Sequence, residues 1–169
     1  LPKRDRMLTG LPSVNVTAGV AKGKVFFWHV NPNWNGEAAK EMYDALGVAL
    51  RERYGNKRSF RVVEDGDTKG FQSGKGKKAK TEQRIESWLL PPRSPGWMPL
   101  DFNLWSDIED RMLARGNDQK ETMDMYVARL RRTALLTSSS VIDSCLGKIK
   151  ANIDETVDSQ GKNTKSLLE

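Results

Sequence analysis

The sequence contains a single cysteine, Cys145, and a single histidine, His29. One cysteine excludes an intramolecular disulfide, and the two residues together cannot supply the four protein ligands of a structural zinc site. No stretch approaches the roughly 18 apolar residues that a membrane-spanning helix needs. No basic head followed by an apolar run and a small-residue cleavage site marks a secretory signal. We therefore expect neither a membrane protein nor a secreted one.

The composition is that of a basic globular domain. The 169 residues carry a net charge of +6, and 37% of them are hydrophobic and 30% charged. This mixture is typical of one domain with one core, so residues 1–169 are treated as a single domain. A basic balance favours a polyanionic partner such as nucleic acid, although many basic proteins bind none. The chain starts at Leu1 rather than Met, and we expect a fragment of a longer protein.

The first third of the chain predicts a hairpin followed by a helix. Residues 13–20 alternate between apolar and polar side chains, which is typical of a half-buried strand, and residues 25–30 are apolar on both faces. Lys22-Gly23 between them is a turn signal. Asn35 can then cap a helix that ends at Tyr54-Gly55. The two strands should therefore pair as neighbours before the helix begins.

The remaining pattern predicts a mixed α/β order with a helical carboxyl-terminal part. A third strand, residues 60–63, is followed by a lysine-rich loop from Lys69 to Lys80. A short helix at 82–86 and a short strand at 88–90 come next. Three amphipathic helices are predicted after a proline-rich loop, and residues 156–169 are predicted to form a flexible tail.

Two aspartates stand where functional groups collect in α/β proteins. Asp65 follows the third strand directly, and Asp101 stands at the start of an amphipathic helix, with 35 residues between them. Carboxylates at a strand end and at a helix start can converge on one site. Mg²⁺ takes one or two such ligands and leaves positions for phosphate and water. Aspartates in these places are also common turn and cap residues, and Glu64 and Asp67 are neighbouring alternatives to Asp65.

Residues 91–101 carry a longer motif. They read Pro-Pro-Arg-Ser-Pro-Gly-Trp-Met-Pro-Leu-Asp, and Trp105 follows. This run resembles the signature P-x-x-S-P-x-x-x-P-[IL]-[ED], with a Trp shortly after, that leads to the third catalytic acid of Tc/mariner superfamily transposases. The strand that ends at Asp65 resembles the one that presents the family's second catalytic Asp. The spacing from Asp65 to Asp101 is also close to the family's thirty-odd residues.

The resemblance implies an RNase H-like fold, in which helices flank a mixed sheet, and a function in DNA transposition by metal-dependent cleavage and strand transfer. It implies that Asp65 and Asp101 are catalytic and metal-binding, with Asp67 as the alternate. In the complete protein they would hold two Mg²⁺ or Mn²⁺ ions. The implied partners are double-stranded DNA, both transposon ends and target, and a second copy of the protein. The implied location is nuclear in a eukaryote and otherwise cytoplasmic.

Several positions depart from the family pattern. Gly66 stands where the family usually has Asn, no His follows it a few residues later, and Gly96-Trp97-Met98 replaces the usual Asp-Leu-Asn. The family's first Asp lies on an early core strand. Asp5, the only acid before Glu37, follows no apolar strand, so we expect the first core strand to be missing. A catalytically inactive, DNA-binding remnant of a transposase is the alternative. A different nuclease on the same fold is a third possibility, against which the proline loop argues.

Basic and aromatic residues beside the acids are candidate contacts to DNA. The set consists of Lys75, Lys77, Lys78 and Lys80 of the lysine-rich loop, with Arg93 and Trp97 of the proline loop. The lysines could neutralise phosphates near the cut site, or they could form a solvated loop or a nuclear-targeting run. Trp97 could stack on a flipped base or cover the core.

Overall fold

A computed structural model describes residues 14–31, 33–57, 59–90, 97–98, 100, 104–114 and 121–159. The strands are β1 (Asn15–Ala21), β2 (Lys24–Asn31), β3 (Phe60–Glu64) and β4 (Ile85–Leu89), and the helices are α1 (Gly36–Tyr54), α2 (Gly74–Gln83), α3 (Trp105–Ala114), α4 (Met123–Leu135) and α5 (Ser139–Asp158). This order confirms the mixed α/β class with a helical carboxyl-terminal part. Among the described helices, none is long and apolar enough to cross a membrane.

The hairpin of β1 and β2 follows the sequence prediction. The two strands pair antiparallel. Lys22 and Gly23 between them have φ angles of 49° and 69°, the left-handed values that a two-residue hairpin turn requires. Glycine adopts such an angle without steric cost. The register between β1 and β2 shifts between Gly19 and Val20. Such an irregularity bends the strand pair locally.

Helix α1 begins and ends where the sequence predicts. The Asn35 side chain accepts hydrogen bonds from the backbone N–H groups of Glu37 (2.9 Å) and Ala38 (3.0 Å), which satisfies donors that the first helical turn leaves unpaired. Gly55 ends the helix with a φ of 77°. The buried face of α1 includes Met42 and Tyr43, each 1% exposed. This face forms one of the two cores, with Phe27 of β2 and Ile85 of β4.

The segment between β3 and β4 differs from its prediction. Most of the expected lysine-rich loop is helix α2, which begins at Gly74 after the cap Ser73, whose hydroxyl accepts from the Gly76 N–H at 3.1 Å. The sequence did not predict this helix because it contains two glycines and lacks apolar periodicity. Its buried residues are Gly76, Ala79 and Lys80. The short helix predicted at 82–86 was wrong, because Arg84 takes a left-handed φ of 59° and β4 begins at Ile85.

The carboxyl-terminal helices pack on the hairpin. Ile108 of α3, Ala134 of α4 and Ile142 of α5 form the second core with Ala18 and Val25 of the strands. Helix α5 continues to Asp158, so the first residues of the predicted flexible tail are helical. Residues 160–169 lie outside the part of the chain that the structure describes.

The strands form two separate pairs rather than one sheet. Strand β1 pairs with β2, and β3 pairs in parallel with β4; among the strands described, none bridges β1 and β3. A cavity of about 580 Å³ is lined by Val16–Ala21 of β1 and by Phe60–Asp65, with Met42 and Leu46 of α1 also on its wall. Two strand edges among those described thus border one largely apolar space, and the further core strand expected from the sequence stays a prediction.

Alanine substitution should have different effects on stability at the two glycines of α2. A Cβ on Gly76 would lie 2.4 Å from the carbonyl oxygen of Gly70, whereas a Cβ on Gly74 would meet nothing within 4 Å. Gly76→Ala should therefore lower the free energy of unfolding by about 1–3 kcal/mol. Gly74→Ala, the matched control, should change it by less than about 1 kcal/mol. Urea unfolding followed by circular dichroism measures both, and equal losses would contradict this packing.

Candidate functional site

Asp65 stands at the carboxyl end of the parallel strand pair. It directly follows β3, its side chain is exposed, and its Oδ1 accepts a hydrogen bond from the Asp67 N–H at 3.0 Å. Strand β4 ends beside it, since the Leu90 N–H donates to the Glu64 carbonyl at 3.1 Å. The chain that leads on to Asp101 therefore departs from the edge at which Asp65 lies. Carboxyl ends of parallel strands are where α/β proteins commonly place their sites.

Asp101 and Arg93 lie outside the described residues. The convergence of the Asp65 and Asp101 carboxylates therefore stays a prediction. Within the described part of the chain, no group of three or more His, Cys, Asp or Glu side chains could hold a metal ion together. Asp65 and the alternate ligand Asp67 lie within the described residues, together with the neighbouring Glu64.

Glu64 is buried and fully engaged. Its side chain is 6% exposed and forms an ion pair with Lys80, whose side chain is 7% exposed. The Tyr43 hydroxyl donates to Oε2 of Glu64 at 2.5 Å, and the Gln72 side-chain amide donates at 3.1 Å to Oε1, the oxygen that pairs with Lys80. Burial, and then the hydrogen bond to Glu64, raise the pKa of Tyr43 far above its usual range, so the phenol stays protonated. Glu64 is therefore no free metal ligand.

Asp67 organises the turn that links β3 to α2. Its Oδ2 accepts from the Trp34 indole N–H (2.8 Å), the Gly70 N–H (2.7 Å) and the Phe71 N–H (3.2 Å), and its Oδ1 accepts from the Lys69 N–H (3.3 Å). Burial alone would raise the pKa of Asp67, but these hydrogen bonds outweigh it and hold the pKa below its usual range.

The surroundings of the three acids favour Asp65 as the ligand. Four hydrogen bonds engage both carboxylate oxygens of Asp67, and an ion pair engages Glu64. The Asp65 carboxylate is exposed and accepts one hydrogen bond within its own turn. An exposed carboxylate on a fixed strand end suits a hard divalent cation. The alternate Asp67 is accounted for by its role in the turn.

The predicted lysines divide into two groups. Lys75 and Lys78 are 64% and 79% exposed on α2, where they approach Glu37 and Glu82, and Lys77 is exposed beside them. Lys80 differs from its prediction as a DNA contact, because its side chain is buried against Glu64. The exposed basic surface of α2 consists of Lys75, Lys77 and Lys78.

Trp97 is half-buried, and its indole N–H donates to the Thr156 hydroxyl of α5 at 3.3 Å. The structure thus describes Trp97 as a contact of α5, and its stacking or core-covering role stays a prediction.

Sequence reasoning missed the pairing of Glu64 with Lys80, although a signal was present. Phe60, Val62 and Glu64 alternate along β3 and share one face, and two of these three are hydrophobic. That alternation places Glu64 inward, where a carboxylate requires a partner. The partner could not be read from the sequence, because Lys80 lay in a segment predicted to be a loop.

Alanine substitution of Asp65 and of Asp67 should change the free energy of unfolding by different amounts. Asp67→Ala removes a partly buried acceptor of four hydrogen bonds and should lower the free energy of unfolding by about 2–3 kcal/mol. Asp65→Ala, the control, should lower the free energy of unfolding by less than about 1 kcal/mol. The pKa of Asp67 is lower in the folded state than in the unfolded state, so the ionised carboxylate stabilises the fold. This stabilisation is complete above the unfolded-state pKa and is lost as the pH falls through the folded-state pKa.

The stability gap between the unmodified protein and Asp67→Ala should therefore be constant above about pH 5 and narrow as the pH falls below about 4. Urea denaturation at a series of pH values measures it. A gap that widens on acidification, or equal losses for the two variants, would contradict the assigned role of Asp67.

The fold has close matches among solved structures. The crystal structure of the catalytic domain of Mos1 mariner transposase matches with a TM-score of 0.72 at 15% identity, over 88% of this chain and 74% of that one. The Mos1 transposase catalytic domain with raltegravir and Mg matches with a TM-score of 0.70 at 16% identity, over 88% and 76%. The Mos1 mariner paired end complex with Mn gives 0.66 at 15% identity, over 85% and 42%.

No protein-family model matches the chain, and no curated protein does. At 15–16% identity the structural matches establish the fold. They confirm the RNase H-like α/β fold that the motif at residues 91–105 predicted. The chain has the fold of a mariner transposase catalytic domain.

Proposed function

We propose that the chain is part of a transposase catalytic domain that cleaves DNA and transfers strands with the help of divalent metal ions. The observation that carries the proposal is the Asp65 carboxylate, exposed at the carboxyl end of a parallel strand pair. The fold around it matches a mariner transposase catalytic domain. The proline-rich motif that leads to Asp101 supports the same function from the sequence.

The proposed metal is Mg²⁺ or Mn²⁺, held by Asp65 and Asp101. Both ions occur with the Mos1 protein in the matched structures. When bound, such an ion supplies a Lewis acid for the phosphodiester oxygens and lowers the pKa of a coordinated water. The contribution of this chain is positional: β3 holds Asp65 at the edge from which the chain continues toward Asp101.

The proposed partner is double-stranded DNA, at both transposon ends and target. Lys75, Lys77 and Lys78 are exposed on α2, the helix that follows the turn beginning at Asp65, and the sequence adds Arg93 from the proline loop. Such a surface neutralises backbone phosphates without reading bases. In the complete protein we propose a homodimer, located in the nucleus of a eukaryotic host and otherwise in the cytoplasm.

A catalytically inactive DNA-binding remnant is the second candidate. One observation favours it: the glycine at position 66, where the family pattern usually has Asn. Such a protein would keep the basic surface of α2 and bind DNA without cutting it. Nicking activity separates the two candidates, because DNA binding is common to both.

Catalysis should depend on more than Asp65 and Asp101. A pair of carboxylates can hold one ion and a second one loosely, whereas this chemistry uses two metals at a fixed separation. The 169-residue chain alone should therefore leave supercoiled plasmid intact with Mg²⁺ or Mn²⁺. Extending it with the sequence encoded upstream of Leu1, where that supplies a strand bearing an Asp, should produce nicking that Asp65→Ala or Asp101→Ala abolishes.

An extended protein that binds DNA and never nicks it would support the remnant. Metal-dependent nicking by the 169-residue chain itself, abolished by Asp101→Ala, would show that two carboxylates are enough. Asp67→Asn provides a further comparison, because this change preserves an acceptor in the turn. It should retain most of the nicking activity of the extended protein if Asp65 is the ligand.

DNA binding should weaken steeply with salt, because phosphate neutralisation releases counterions. Replacing Lys75, Lys77 and Lys78 with Ala should reduce the slope of log K against log salt by about 0.9 for each phosphate contact that is lost. A matched control replaces the exposed Lys24, Lys148 and Lys150, which removes the same charge elsewhere. Fluorescence anisotropy with a labelled duplex measures both, and equal slopes for the two variants would contradict a specific role of α2.

A further inference from the structure

We infer that the buried pair of Glu64 and Lys80 is a positioning device for Asp65. The inference rests on the proposed function, in which Asp65 is a metal ligand. Glu64 is the last residue of β3 and Asp65 follows it. The peptide group between them therefore sets the direction in which the Asp65 side chain leaves the backbone.

Glu64 is fixed through both its backbone and its side chain. Its carbonyl accepts the Leu90 N–H at the end of β4. Its carboxylate accepts from Lys80 of α2, from Tyr43 of α1 at 2.5 Å and from Gln72 of the turn at 3.1 Å. The Lys80 nitrogen also lies 5.2 Å from the centre of the Tyr43 ring. Four separate segments thus converge on one residue of the strand end.

Asp65 has the opposite character. Its side chain is exposed and accepts one local hydrogen bond, from the Asp67 N–H. Its backbone is fixed by Glu64 on one side, while its carboxylate is left free to bind. A metal ligand requires this combination, because a side chain binds a metal well when neighbouring groups hold its backbone and orientation.

Stability alone gives a poor account of the pair. Removing two charges from water costs several kcal/mol per ion, and two well-packed apolar residues in their place are often as stable or more stable. A hydrogen-bonded pair differs from an apolar contact in that it specifies one orientation. The pair Lys150–Asp154 on α5 is 3.5 Å apart, with side chains 88% and 61% exposed, and provides a matched control outside the proposed binding surfaces.

The test compares two double variants of the full chain by Mn²⁺ binding, measured as the loss of the free Mn²⁺ signal in electron paramagnetic resonance. Glu64→Gln with Lys80→Met removes the buried pair, and Asp154→Asn with Lys150→Met removes the exposed one. Both leave the net charge unchanged. Asp65→Asn defines how much of the binding belongs to the site. Circular dichroism establishes that each variant is folded.

We expect the buried-pair variant to bind Mn²⁺ at the Asp65-dependent site about tenfold more weakly, the low end of the effect of outer-shell changes on metal affinity. The exposed-pair variant should bind like the unmodified chain. Should the buried-pair variant not fold, Tyr43→Phe removes one hydroxyl from the same network and should weaken binding by about threefold.

Equal Mn²⁺ affinity in the unmodified chain and in the folded buried-pair variant, or in the folded Tyr43→Phe variant, would overturn the positioning role and leave the proposed function intact. If the Asp65→Asn variant instead binds Mn²⁺ as well as the unmodified chain does, Asp65 is not a ligand. That result would contradict both the proposed site and this inference.

Discussion

The carboxylate of Glu64 joins β3 to α1 and α2. The alternation of Phe60, Val62 and Glu64 turns this residue inward, and a charge inside a protein requires compensating partners. Lys80, Tyr43 and Gln72 supply them. This network helps to position α2, which offers little apolar surface of its own, since its buried residues are Gly76, Ala79 and Lys80. Gln83 and Lys75 of the same helix also contact α1.

The same network explains why neighbouring residues of like chemistry have different roles. Glu64 forms a buried ion pair with Lys80, and Asp65 is exposed to solvent. Asp67 accepts hydrogen bonds from N–H groups of its own turn and from the Trp34 indole. The lysines divide in the same way, with Lys80 inside and Lys75 on the surface. Residue type alone does not assign a role here, because each role follows from the direction in which the backbone presents the side chain.

The two strand pairs are held together by helices rather than by hydrogen bonds between β1 and β3. Helix α1 packs against both pairs, and α3, α4 and α5 cover the hairpin. Between them lies the cavity of about 580 Å³, which is bordered by Val16–Ala21 and Phe60–Asp65. An unpaired strand edge inside an apolar space has backbone groups that need hydrogen-bond partners. The further core strand expected from the sequence stays a prediction.

The sequence by itself determined the elements whose signals are local. The alternation in β1, the cap at Asn35 and the apolar face of α1 appear where they were predicted, and so does the strand that ends before Asp65. The family motif pointed to the fold that the structural comparisons establish. Only the tertiary structure decided that the segment after Ser73 is helical, that Lys80 is buried and that Asp67 belongs to the turn. The partner of Glu64 lies 16 residues away on another element, and neither periodicity nor capping extends over such a separation.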